Sequence, residues 1–163
     1  MFRRTLLRTC LALTLALSAG SAMAEQQAHQ IHMMHQTSHV EVEDITKMFR
    51  FEPDYLVIQP GDTVRFSGTV GEHTITSVAR MLPEGAEEIE INSTPSKEIR
   101  FDIPGVYGLK CRVHNRYGMV ALLIVGTPES NLEQARTFRL KRFGKKRMTQ
   151  LLDKAAEEFS LQQ

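Results

Sequence analysis

Short runs in which apolar and polar residues alternate dominate the middle of the chain. Thr63-Val64-Arg65-Phe66, Thr74-Ile75-Thr76-Ser77-Val78 and Glu98-Ile99-Arg100-Phe101-Asp102-Ile103 all repeat with period two, the mark of a strand with one buried face. Leu56-Val57-Ile58, Val106-Tyr107-Gly108-Leu109-Lys110 and Val120-Ala121-Leu122-Leu123-Ile124-Val125 complete the set. Gln59-Pro60-Gly61-Asp62 and Pro104-Gly105 supply turns between them. Several short strands at regular turn spacing predict an all-β sandwich or barrel.

After residue 126 the period changes. Thr127-Pro128 can cap and begin a helix, with Leu132, Ala135 and Phe138 at helical spacing. Beyond the basic run of residues 139–147, Met148, Leu151, Leu152, Ala155 and Phe159 form a second apolar stripe. Two C-terminal helices packed on the sandwich are expected. Lys141, Arg142, Lys145, Lys146 and Arg147 read as a solvated helix face.

The first 24 residues have another character. Arg3, Arg4 and Arg8 precede an apolar stretch at residues 11–19, and Ala22-Met23-Ala24 fits a small-residue cleavage site. This is the layout of a cleavable export signal, too short in its apolar part to span a membrane. Cys10 stands at the start of the apolar stretch rather than after it, which argues against a lipid anchor. The expected organisation is therefore a signal peptide at 1–24 and a mobile His- and Met-rich leader at 25–38. The sandwich follows at 39–126 and the helical extension at 127–163.

Cleavage after Ala24 would remove three of the 20 Lys and Arg and none of the 19 Asp and Glu, taking the formal charge from +1 to −2. A near-neutral chain lacks the basic footprint of a nucleic-acid binder. Cys111 would then be the only cysteine, so no internal disulfide is available. An exported lone thiol is buried and inert, reactive, or held by a metal.

The third of these fits its surroundings. Cys111, His114 and Met119 stand within nine residues, and His73 lies 38 residues before Cys111. A thiolate, two imidazoles and a thioether are the donor set of a mononuclear copper centre, with Cys and two His in a plane and a weak axial Met. Four protein donors leave no open position for a substrate, so no enzyme activity is expected. Two other uses of these residues stand beside it. Cys111 and His114 could be a nucleophile and base, although no orienting Asn or Asp is identifiable. Zinc takes Cys and His, but Met is a poor zinc ligand. His29, His32, Met33, Met34 and His35 form a candidate second, weak copper site in the leader.

Beyond the ligand set, five segments carry a wider likeness: Phe51-Glu52-Pro53, Pro60-Gly61-Asp62-Thr63-Val64, Met81-Leu82-Pro83-Glu84-Gly85-Ala86-Glu87, Pro104-Gly105-Val106-Tyr107-Gly108-Leu109-Lys110-Cys111 and Asn131-Leu132-Glu133. Across residues 48–159 the chain resembles the pseudoazurin branch of the cupredoxins, the blue copper proteins. The resemblance implies an eight-stranded Greek-key sandwich with one type 1 copper ion at one end, held by His73, Cys111, His114 and Met119. It implies a periplasmic monomer that shuttles electrons, with a cytochrome as donor and copper nitrite reductase or another reductase as acceptor. In that family the electron leaves through the second ligand His, here His114, in an apolar patch ringed by Lys. Arg112 and Arg116 are candidates for steering an acidic partner.

Two positions depart from the family. Thr74 replaces an Asn that tethers the two ligand loops, so a shorter tether is expected. Val113 replaces a Pro and restores an amide that can donate toward the Cys111 sulfur. A family His near the copper site, on the first strand, falls on His39 by gapless counting, whereas His32-Met33 matches better locally. The competing function is a periplasmic copper carrier or sequestering protein that uses the same site with the leader cluster.

Overall fold

The computed structural model describes residues 28–35, 45–69 and 72–160; the expected signal peptide and His39 lie outside them. Two sheets face each other. The first has the order β2-β1-β4-β7, from β1 (Ala28–His35), β2 (Phe49–Glu52), β4 (Thr63–Ser67) and β7 (Ser96–Arg100). The second has the order β3-β9-β8-β5-β6, from β3 (Tyr55–Ile58), β5 (Thr74–Ser77), β6 (Glu90–Asn92), β8 (Gly105–Lys110) and β9 (Val120–Val125). β1 runs parallel to β4, and β3 parallel to β9; the other pairings are antiparallel. Among the described residues this makes nine strands rather than eight. The chain changes sheets between β2 and β3, where Pro53 has no amide to offer a ladder.

The two inner faces make the main core. Ile31, Met33, Phe51, Val64 and Phe66 meet Leu109, Ala121, Leu123 and Val125. β9 is apolar throughout because it is buried on both faces. Its other residues, Val120, Leu122 and Ile124, meet Met148, Leu151, Leu152, Ala155 and Phe159 of α3 (Arg142–Ser160). The second apolar stripe thus lies on the outside of the second sheet. Among the described residues no helix is long and apolar enough to cross a membrane.

Two expectations change. The stretch expected as a mobile leader contains β1, an inner strand of its sheet, so the sandwich starts before residue 39. Ile31 and Met33 are buried between the more exposed Gln30, His32 and Met34, a period-two pattern overlaid by the histidines. The helix expected from Pro128 is a single turn, α2 (Leu132–Ala135). Asn131 precedes it, and its side chain accepts from the Val106 amide (2.7 Å) and donates to the Val106 carbonyl (2.9 Å). That commitment ties the segment to β8 and delays the helix. A short helix at Ile45–Met48, α1, was not anticipated.

Candidate metal centre

The ligand loop is a hydrogen-bonded unit. After β8, the Cys111 carbonyl accepts from the Asn115 amide (3.0 Å) and from its side chain (2.9 Å), which also donates to the Arg112 carbonyl (2.7 Å). A 3-10 turn, Asn115–Tyr117, then reverses the chain and ends at Gly118, whose φ of 101° suits glycine. The His114 carbonyl accepts from the amides of Tyr117 (2.9 Å) and Met119 (3.3 Å), while the Cys111 amide donates to the Met119 carbonyl (3.1 Å). Residues 111, 114 and 119 are therefore gathered locally at the mouth of the β8–β9 hairpin.

His73 arrives from the turn before β5. The donor atoms of His73, Cys111 and His114 all lie within 4.8 Å of one another, and the Cys111 sulfur is 3.6 Å from His114 Nδ1. The four predicted ligand residues are shut in: 6% exposure for His73, 7% for His114 and 0% for both Cys111 and Met119. His73 Nδ1 is buried with no hydrogen-bond partner. A buried polar nitrogen without a partner is costly, and a bound cation removes that cost. Burial holds His73 below the usual imidazole range, with the charges of His114 and His35 acting the same way and Glu72 opposing. Burial does the same for His114, helped by His35 and Arg116 and opposed by Glu72. Both rings therefore keep a lone pair for metal at neutral pH. The residues present fit a single copper ion.

Two neighbours of the site were not legible in advance. Phe49 stacks on His114 with ring centroids 4.0 Å apart and planes 4° from parallel. His35 stands edge-on to His73 at 5.2 Å. Thr74 supplies the shorter tether: its hydroxyl accepts from the Arg112 amide at 3.0 Å and points at the Cys111 sulfur from 4.0 Å. Among the described residues that hydroxyl, and not the Val113 amide, is the donor aimed at the sulfur. Thr74→Val keeps the shape and removes both contacts. A donor to the thiolate favours the reduced state, so the reduction potential of the loaded protein should fall on the order of 20–40 mV. Voltammetry of the two proteins checks this, and an unchanged potential would count against the Thr74 contact.

The candidate second site is not assembled. A strand sends alternate side chains to opposite faces, so His29 and His35 share a face with Met33, while His32 and Met34 take the other. His29 Nε2 is paired with Asp62 (3.0 Å), and His32 Nδ1 with the Ser67 hydroxyl (2.7 Å). Met33 is buried in the core. Of the five residues only His35 reaches the metal centre.

The rim around His114 joins apolar and basic surface. Val113 and Phe143 are the large apolar side chains exposed among the described residues, at 41% and 44%. Phe143 Cβ would stand 3.8 Å from a Cβ built on Gly118, so the start of α3 borders the ligand loop. Arg116 lies over the Tyr117 ring (4.7 Å), and Arg112 is paired with Glu90 (2.6 Å). Lys47, Lys146 and Arg147 line a groove shared with Phe143 and Gly118. Part of the basic run expected as a solvated face therefore borders the site.

Residues 37–126 match the model of the copper-binding proteins of the plastocyanin/azurin family. A pseudoazurin of Methylorubrum extorquens is 35% identical over 104 residues, covering 64% of this chain and 70% of that protein. One from Paracoccus pantotrophus is 32% identical over 148 residues, covering 91% and 94%. The crystal structure of pseudoazurin from Methylobacterium extorquens AM1 superposes with a TM-score of 0.67 at 29% identity, covering 78% of this chain and 98% of that one. The chain belongs to the plastocyanin/azurin family of copper-binding proteins, in its pseudoazurin branch. Fold, family and donor set together define a type 1 copper electron-transfer protein with one copper ion.

Proposed function

We propose that this chain is a periplasmic, monomeric carrier of single electrons, taking them from a cytochrome and giving them to a reductase such as copper nitrite reductase. In this reading His73, Cys111, His114 and Met119 would together hold the copper. The observation that carries it is a buried Cys–His–His cluster whose His114 lies against an apolar and basic rim. When bound, copper supplies a one-electron Cu(II)/Cu(I) couple. The residues do the rest. The hydrogen-bonded loop and the Thr74 tether keep the donors in place, so that little rearrangement accompanies a change of charge. Burial excludes water from the donor atoms. Val113 and Phe143 offer a surface that can be desolvated against a partner, and Arg116, Lys146 and Lys47 steer an acidic one. The copper-carrier reading loses its support in the leader cluster, which the strand disperses.

The test is stopped-flow electron transfer from the reduced, copper-loaded protein to a copper nitrite reductase. The second-order rate should fall as salt rises. Arg116→Glu should lower it about tenfold at low salt, with the visible spectrum unchanged. No transfer, or a rate indifferent to both salt and Arg116, would sink the assignment of partner and surface.

A further inference from the structure

A metal centre whose donors are all buried needs a way in for its ion. His73, Cys111, His114 and Met119 have almost no contact with solvent. A hydrated cation gives up its waters one ligand at a time, so a donor at the surface must take the first place. Phe49 covers a face of the His114 ring, and Arg112 and Arg116 on the ligand loop repel a cation.

One edge of the site differs. His35 ends β1 on the strand face that carries Ile31 and Met33, yet it is itself exposed. Its ring centroid is 5.2 Å from that of His73 and 6.4 Å from that of His114, so it stands between solvent and the first buried ligand. His29 and His32 on the same strand are engaged by Asp62 and Ser67; the His35 ring has aromatic contacts but, among the described residues, no side-chain hydrogen bond. Glu72, the residue before His73, is exposed, so a carboxylate also borders that ligand on the solvent side. An imidazole and a carboxylate at this edge of the site can supply nitrogen and oxygen donors to an incoming copper ion.

We propose that His35, assisted by Glu72, is the first-contact ligand through which copper reaches His73, a loading role separate from the four ligands that retain the metal. The exchange is redox-neutral. The His35 nitrogen gives up its bond as His73 makes one, and the Cys111 thiol releases its proton to water when its sulfur becomes a ligand. This inference rests on the copper centre proposed above, but not on the identity of any redox partner.

The test uses the copper-free mature chain and aqueous Cu(II), with uptake followed by growth of the thiolate-to-copper absorption and release followed by transfer to a strong chelator. His35→Ala and His35→Asn should each slow uptake and release at least fivefold and by the same factor, leaving affinity and final spectrum unchanged. Glu72→Gln should slow uptake less and flatten its salt dependence, and His32→Ala should change neither rate. Unchanged rates in His35→Ala would overturn the loading role alone. An altered final spectrum would also overturn it, by making His35 a standing ligand. Failure of the wild-type chain to develop the absorption at all would overturn the metal centre itself.

Discussion

In Cys111→Ser the intense thiolate-to-copper absorption should vanish, and copper affinity should fall at least about 100-fold. The absorption is charge transfer from a sulfur lone pair. A serine oxygen holds its electrons more tightly and keeps its proton at neutral pH, so it offers neither the band nor a soft anionic donor. The copper-free fold should change little. His114 Nδ1, 3.6 Å from the sulfur, and the Thr74 hydroxyl are there to partner the new hydroxyl. Visible and EPR spectra with one equivalent of Cu(II), read beside thermal melts without metal, separate loss of the ligand from loss of the fold. A copper spectrum identical in wild type and variant would put the metal elsewhere, with the imidazoles of β1 as the remaining donors.

Gly144→Ala should destabilise the protein although it improves a helix. Alanine is worth about 1 kcal/mol over glycine inside a helix, and Gly144 sits in the first turn of α3. A Cβ there would run into the Asn115 carbonyl oxygen and stand 3.1 Å from its carbon. Those are backbone atoms of the ligand loop and cannot swing aside. Helix and loop must separate, at a cost of about 1–3 kcal/mol, as overpacking usually imposes. The melting temperature of the copper-free chain should fall by about 2–4 °C for each kcal/mol lost. The Asn115 carbonyl also accepts the Gly118 amide (3.0 Å), and its neighbours in sequence are His114 and the turn leading to Met119. The absorption and EPR parameters of the loaded protein should therefore shift as well. Leu152→Ala, two turns further along α3, should lower stability while leaving the spectra alone. A stabilised Gly144→Ala would show that helix and loop are not in contact there.

Most strands were legible because turn residues and period two are local signals. Residues 63–66, 74–78 and 106–110 fall on β4, β5 and β8 within a residue or two. β1 was missed although Gln30-Ile31-His32-Met33 alternates, because its histidines and methionines also make sense as metal donors. A cluster in sequence became two faces of a strand, and only His35 was left near the metal. β6 is three residues long, with one buried, and carries too little pattern to be seen. Gly144, inside a helical pattern, carries no sign in the sequence of the Asn115 backbone that packs on it.

The sequence by itself determined the donor chemistry. Cys111, His114 and Met119 sit on one short hairpin loop whose closure depends on hydrogen bonds within nine residues, and a thiolate, imidazole and thioether admit few metals. It also determined the sheet-forming segments, whose apolar faces repeat every second residue. Only the tertiary structure decided how closely the expected His73 approaches that loop and which other rings stand beside it. His73, Phe49 and His35 come from three separate segments, brought together by strand register and by the packing of one sheet on the other. The same is true of α3 against Asn115. Such contacts join residues far apart in the chain, so no local period encodes them, and the fit of two surfaces sets their distance.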